Sequence, residues 1–232
     1  MLLVAAEAME LAGLARRLDA EPLDWPVRFA RAAHGGGQRL VMAANGPGPC
    51  LAAAVGRIAA EREKLDGVVS VGYCGALDPA LKVGDIVTAR GVEASDSGER
   101  FETCSPLAHR YSAEGCIISL DRFVRTAGEK RRLRASGAVA VEMEAAGVAR
   151  EARGLGLSFA CVRVVTDGSQ EGFHIDFNAA RDGEGRFRYA KVVSLALHRP
   201  WRGLPELIGL YRRSRRASEA LGEFLANIEY QF

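Results

Sequence analysis

The 232-residue chain reads as one α/β domain: a central mixed, largely parallel twisted sheet flanked by helices in three layers. Three observations predict this class. Short apolar runs rich in β-branched residues recur along the chain. Several are apolar without alternation, as strands covered on both faces are. Helical patterns lie between them, so strand and helix alternate.

The runs at 2–6, 40–44, 68–71, 85–89, 116–119 and 159–165 predict strands. The spacing of apolar residues predicts helices over 49–65, 141–155 and 205–228. The stretch 168–189, with Gly168, Gly172, Gly183 and Gly185, reads as a long loop with one helical turn, and loops of that length in compact domains are usually functional or mobile. No Pro/Gly/Ser-rich linker divides the chain, so residues 1–232 are read as a single domain, with 190–232 a C-terminal helical extension.

Composition narrows the function classes. A chain of this length buries roughly 70% of its unfolded surface and needs no disulfide or metal staple. Thirty-one basic against 29 acidic residues give a net charge of +2, which offers no general attraction for nucleic acid. The five cysteines show no CxxC spacing and read as reduced thiols of a cytoplasmic protein. The N-terminus MLLVAAEAMELAGL carries Glu7 and Glu10 inside its apolar stretch and makes a poor signal peptide. His34, His109, His174 and His198 are scattered without ligand spacing, so no metal is expected.

In open parallel sheets ligands bind beyond the carboxyl ends of strands, which directs attention to the polar residues after each apolar run. Glu7 and Glu10 follow the first run, NGPG (45–48) the second and GYCGAL (72–77) the third; VEMEA opens the helix at 141, and Asp167 follows the last run. Each has a plain structural account. Glycines serve strand-to-helix turns, Glu142 and Glu144 suit the dipole of a first helical turn, and Asp167 suits an N-cap. Neither GxGxxG nor a P-loop is present.

Taken together the stretches are specific. VVSVGYCGALDPALKVGDIV (68–87), GCIISLDRF (115–123), AVAVEMEAAGVA (138–149) and VRVVTD (162–167) resemble, in order and spacing, the nucleoside phosphorylase/uridine phosphorylase superfamily. Within it they are nearest to the methylthioadenosine/S-adenosylhomocysteine nucleosidases. The resemblance implies cleavage of the N-ribosidic bond of a purine nucleoside with a modified 5′ group, releasing adenine without a cofactor. It makes Asp167 the general acid at the purine and Glu10 the base that activates water, with Glu7 as rival. It makes Glu144 the carboxylate that holds the ribose hydroxyls, with Met143 beside sugar and base. Phe123, Val124 and Thr166 would meet the purine, and Gly46, Tyr73 and Gly75 the nucleophile and ribose. A homodimer is implied as well.

Two departures leave alternatives open. Phosphorolytic relatives carry an arginine and a serine where this chain has Ser70 and Tyr73, so a guanidinium anchor for phosphate is missing there and water is favoured as nucleophile unless an arginine arrives from elsewhere. The segment around HRPWRGLPEL is similar to the C-terminal part of hopanoid-associated phosphorylases, which implies phosphorolysis of an adenosylated polycyclic lipid as a rival activity. Its arginines and Trp201 suit weak contact with an anionic membrane surface, or else a solvated helix packed through Leu207, Leu210, Leu221 and Leu225. A catalytically inactive nucleoside-binding protein is the reading from another class.

Overall fold

The structure is a computed structural model that describes residues 1–104 and 112–228. His109 therefore lies outside the described residues. The chain runs β1 (Leu2–Ala5), α1 (Ala8–Arg17), β2 (Glu21–Pro22), β3 (Phe29–Gly35), β4 (Gln38–Ala44), α2 (Pro49–Ala60), β5 (Gly67–Ala76), β6 (Ile86–Ala94), β7 (Arg100–Glu102) and β8 (Ser112–Ser119). It continues through α3 (Ala127–Arg134), β9 (Ala140–Glu142), α4 (Ala145–Gly154), β10 (Ser158–Asp167), a 3-10 turn (Asn178–Ala180), α5 (Tyr189–Leu197) and α6 (Pro200–Ala226).

The sheet is mixed and partly closed on itself. β1 pairs parallel with β4 and β5, β5 parallel with β10, β6 parallel with β8 and β8 parallel with β9; β10 meets β6 and β5 meets β9 antiparallel. Strands β5, β10, β6, β8 and β9 thus form a ring, while β1, β4, β3 and β2 extend from β5 as an open sheet.

One edge of β5 is shared. Its first half pairs with β1 as far as Ser70, and its end pairs with β9 from Gly75. Between these registers the two neighbours diverge, and the ladder leaves an opening at a point where strand order changes, a place where α/β sheets bind ligands.

The layers follow from alternation along the strands. Leu2 and Val4 face a core with Val55 of α2 and Val148 of α4; Leu3 and Ala5 face a second core with Leu11 and Leu14 of α1 and Leu221 of α6. The Ser218 hydroxyl of α6 donates to the Met9 carbonyl at 2.6 Å and accepts the Gly13 amide at 3.3 Å, which fixes the crossing of α1 and α6.

The structure revises three boundaries. The apolar spacing of 141–155 covers a strand and a helix, because residues 140–142 pair with β8 and only from Ala145 does α4 begin. GYCG is not a turn after a strand but the second half of β5 itself. The last helix begins at Pro200, since a proline at the first helical position forgoes no hydrogen bond, and it runs on through Pro205. Among the described residues no helix is long and apolar enough to cross a membrane.

Candidate active site

A cavity of about 630 Å³ opens where β1 and β9 part along β5. Glu10, Tyr73, Gly75, Phe123, Val124, Met143, Glu144, Thr166 and Asp167 all line it. Gly46 does not; its neighbour Pro47 takes that place in the wall. Sequence segments far apart therefore converge as the strand ends are brought side by side.

Glu10 is in the first turn of α1 and buried. Its Oε2 accepts the amides of Ala6 and Glu7, each at 2.8 Å, and its Oε1 accepts the Tyr73 amide at 2.9 Å. That third bond belongs to the stretch of β5 between its β1 and β9 partners, so the carboxylate occupies the gap in the ladder. Gly72 makes room for it: its φ is +148°, and a β-carbon there would lie 2.6 Å from Glu10 Oε1. Burial raises the Glu10 carboxyl above its ordinary range, opposed by the amides of Glu7 and Tyr73 and by Arg163. Glu7 is only half-buried and caps α1. Both glutamates line the cavity, but Glu10 alone is bonded to β5.

Asp167 ends β10. The Thr166 hydroxyl donates to its Oδ1 at 2.9 Å and the Lys130 ammonium to its Oδ2, while Gly75 lies so close that a β-carbon would come within 2.9 Å of Oδ2. Burial is the larger influence and raises the Asp167 carboxyl; Lys130 pulls the other way.

Glu144 is the N-cap residue of α4, and its Oε1 accepts the Gly48 amide at 3.0 Å. It is pushed up to about 8, first by burial and then by the Glu142 carboxylate. Glu142, placed by its spacing at the start of the helix, instead ends β9 and points away from solvent. It accepts the Glu144 and Ala145 amides at 2.9 Å and the guanidinium of Arg163, which also donates to Ser70 Oγ at 2.8 Å. The arginine absent from β5 is thus supplied by β10, behind the cavity wall and tied to a carboxylate.

One wall of the cavity is aromatic. Phe123 is pinned by Asn178, whose Oδ1 accepts its amide at 2.7 Å and whose Nδ2 donates to its carbonyl at 2.9 Å. Its ring contacts those of Phe173 and Phe177, both with centroids 5.0 Å away. Phe177 and Phe187 come from the 168–189 loop and line the cavity, as do Tyr189 and Val192 of α5. The far end is lined by Leu207, Leu210, Tyr211 and Ser214 of α6, which the Tyr73 hydroxyl holds by donating to the Ser214 carbonyl at 2.9 Å. The sequence marks the 168–189 loop, and Leu207 and Leu210 as a packing face, but no spacing or motif marks Lys130, Phe177, Phe187, Tyr189, Val192, Tyr211 or Ser214 as part of the site. His174 is exposed and outside the cavity wall. Among the described residues no group of three or more His, Cys, Asp or Glu side chains could hold a metal ion.

Similarity to known proteins bears on the family and the fold. The family model described as "Phosphorylase superfamily" matches residues 3–111 and 93–197. The 5′-methylthioadenosine/S-adenosylhomocysteine nucleosidase of Staphylococcus aureus is 25% identical over 169 residues, 61% of this chain and 74% of that protein. Among solved structures, the Neisseria meningitidis nucleosidase of that name, in complex with methylthio-immucillin-A, superposes with a TM-score of 0.74 at 21% identity, covering 97% of this chain and 96% of that one. The Streptococcus pneumoniae MTA/SAH nucleosidase in complex with 8-aminoadenine gives 0.75 at 19% identity, with the same coverage. At such identities the two structures speak for the fold.

Proposed function

This chain belongs to the phosphorylase superfamily, and we propose that it hydrolyses the N-ribosidic bond of a purine nucleoside with a modified 5′ group, such as methylthioadenosine or S-adenosylhomocysteine, releasing adenine. The observation that carries the reading is that Asp167 and Glu144 line one buried cavity with Glu10. Ribosyl cleavage leaves negative charge on the departing base and positive charge on the sugar, and the three carboxyl groups answer these demands separately.

Asp167 gives a proton to the purine; Glu144 accepts hydrogen bonds from the ribose hydroxyls; Glu10 takes the proton of the attacking water. Phe123 and Val124 flank the base, Thr166 orients Asp167, Met143 packs beside the sugar, and Tyr73 and Gly75 border the ribose. Water rather than phosphate suits the charge around the site. Glu7, Glu10, Glu142, Glu144 and Asp167 line the cavity, against Lys130 and Arg122, and Arg163 is already paired with Glu142. Lys130 is paired with Asp167 and Arg122 with Glu129 as well, so a phosphate dianion would find no unpaired cation among these residues.

The decisive experiment is adenine release from methylthioadenosine, S-adenosylhomocysteine, inosine and adenosine, each with and without phosphate. Hydrolysis without phosphate, abolished by Asp167→Asn, is the expected outcome. Ribose 1-phosphate as an obligatory product would replace this reading with phosphorolysis. Binding without turnover of any substrate would replace it with a nucleoside-binding role.

One observation favours an unusually large apolar 5′ substituent, as in an adenosylated polycyclic lipid. The α5–α6 end of the cavity is apolar and continues into an exposed stripe in which Trp201 is 80% and Tyr211 57% accessible. Beside it, Arg202, Arg212, Arg215 and Arg216 suit weak contact with an anionic membrane surface. Co-sedimentation with anionic vesicles at low salt tests that contact, and failure to sediment removes it. A homodimer, carried over from the resemblance, is tested by light scattering.

A further inference from the structure

Asp167 does not meet the cavity alone. Lys130 of α3 is 1% exposed; its ammonium bonds Asp167 Oδ2, donates to the Gly168 carbonyl at 2.7 Å, and lies 5.8 Å from the centroid of the Phe173 ring. Acid-assisted cleavage as set out above needs no lysine, and a buried ammonium is tolerated only when paired. Yet a carboxylate matched with an ammonium has no proton to give a purine. The pair holds one transferable proton between a nitrogen and an oxygen already joined by a hydrogen bond, with both side chains almost inaccessible to solvent.

We propose that Lys130 is the positioning residue that stores the proton Asp167 delivers. As the purine settles against Asp167, Nζ passes a proton to Oδ2, and the resulting carboxylic acid passes a proton to the base. The C1′–N bond breaks with its electron pair leaving on the base; the water oxygen bonds C1′, and the water's proton goes to Glu10. Glu10 then loses its proton to solvent and the Lys130 amine regains one, so the cycle closes with no other reactant. Neutralising both partners also removes two charges from a desolvated site, which is why the transfer is accessible there. The inference rests on Asp167 being the acid.

The surroundings leave Lys130 as the proton source. Thr166 donates to Asp167 Oδ1. Glu171 faces the pair but is held by the Gly168 amide and by Arg213 of α6. The Cys74 thiol of β5 is raised by burial and keeps its proton. Glu142 and Glu144 line the same cavity, the first paired with Arg163 and the second bonded to Gly48. Arg122 is paired with Glu129, and Arg131 reaches Gln170.

Three variants and the wild type separate the outcomes. In Lys130→Arg the positive charge stays but a guanidinium does not release its proton, so kcat falls by about a hundredfold or more with KM little changed. In Lys130→Met the cation that lowers Asp167 is gone, so the buried carboxyl carries its own proton: activity survives at acid to neutral pH, and the alkaline limb of kcat, now set by Asp167 alone, moves down. The wild type shows an alkaline limb in kcat as the pair loses its single proton. Wild-type kcat in Lys130→Arg, a Lys130→Met profile coincident with the wild type, or a wild-type kcat that stays level into alkaline pH overturns the proposal. Asp167→Asn keeps the two readings apart: if it is active, the acid assignment itself fails; if it is dead while Lys130→Arg is fully active, only the role of Lys130 fails.

Discussion

Glu142 holds Glu144 in place: its Oε2 accepts the Glu144 amide at 2.9 Å while the same oxygen takes the Arg163 guanidinium. The two glutamates of VEMEA are therefore not equivalent. One anchors the turn into α4 and is tied to Arg163, and the other places its carboxyl in the cavity beside the Gly48 amide.

Glu142→Gln should destabilise the protein strongly. It leaves Arg163, fully buried, without its counter-charge, and breaking such a pair costs about 3–5 kcal/mol. For a chain of this size that corresponds to a fall of roughly 6–20 °C in Tm. Thermal denaturation followed by circular dichroism measures it, and an unchanged midpoint would show the pair to be dispensable.

Gly72→Ala should spare binding of the base and impair turnover. The added β-carbon would sit 2.6 Å from Glu10 Oε1 and force the carboxylate out of the β5 gap. A displacement of about 1 Å at a reacting group costs roughly a hundredfold in rate. Steady-state kinetics on methylthioadenosine should show the loss in kcat; wild-type turnover argues against Glu10 as the base.

Tyr73→Phe should loosen the helix wall. It removes the bond from the hydroxyl to the Ser214 carbonyl, worth about 0.5–1.5 kcal/mol. The expected signature is a higher KM for nucleosides with bulky 5′ groups and an unchanged KM for adenosine. An equal effect on both would mean that α6 does not contact the 5′ group.

Stability should decline as pH rises from 4.5 toward 8. Burial, reinforced by Glu142, lifts Glu144 from 4.5 to about 8, so across this window the folded protein binds more protons than the unfolded chain. The derivative of unfolding free energy with pH is then negative: the contribution is complete below 4.5 and lost as pH passes 8. Glu10 and Asp167, also raised by burial, act in the same direction. Urea midpoints across this range should fall for the wild type and vary less for Glu144→Gln; parallel slopes would contradict the assignment.

The order of apolar runs determined most of the architecture. β1, β4, β5, β6, β8 and β10 all coincide with runs visible in the sequence, because a strand covered on both faces must be apolar throughout. The Ala-rich β3, the three-residue β7 and β9, and helices α1, α3 and α5 carry weak local signals, and pairing partners decide them. That Glu10, Glu144 and Asp167 meet on one cavity wall was legible because they stand at fixed places after apolar runs or inside recognisable stretches. Lys130, 37 residues from Asp167, and Ser214, 141 from Tyr73, were not. Nor was the buried pairing of Glu142 with Arg163. Local periodicity records only which face of an element is apolar, whereas the company of a buried charge is set when distant strands and helices close around it, and that closure happens only in three dimensions.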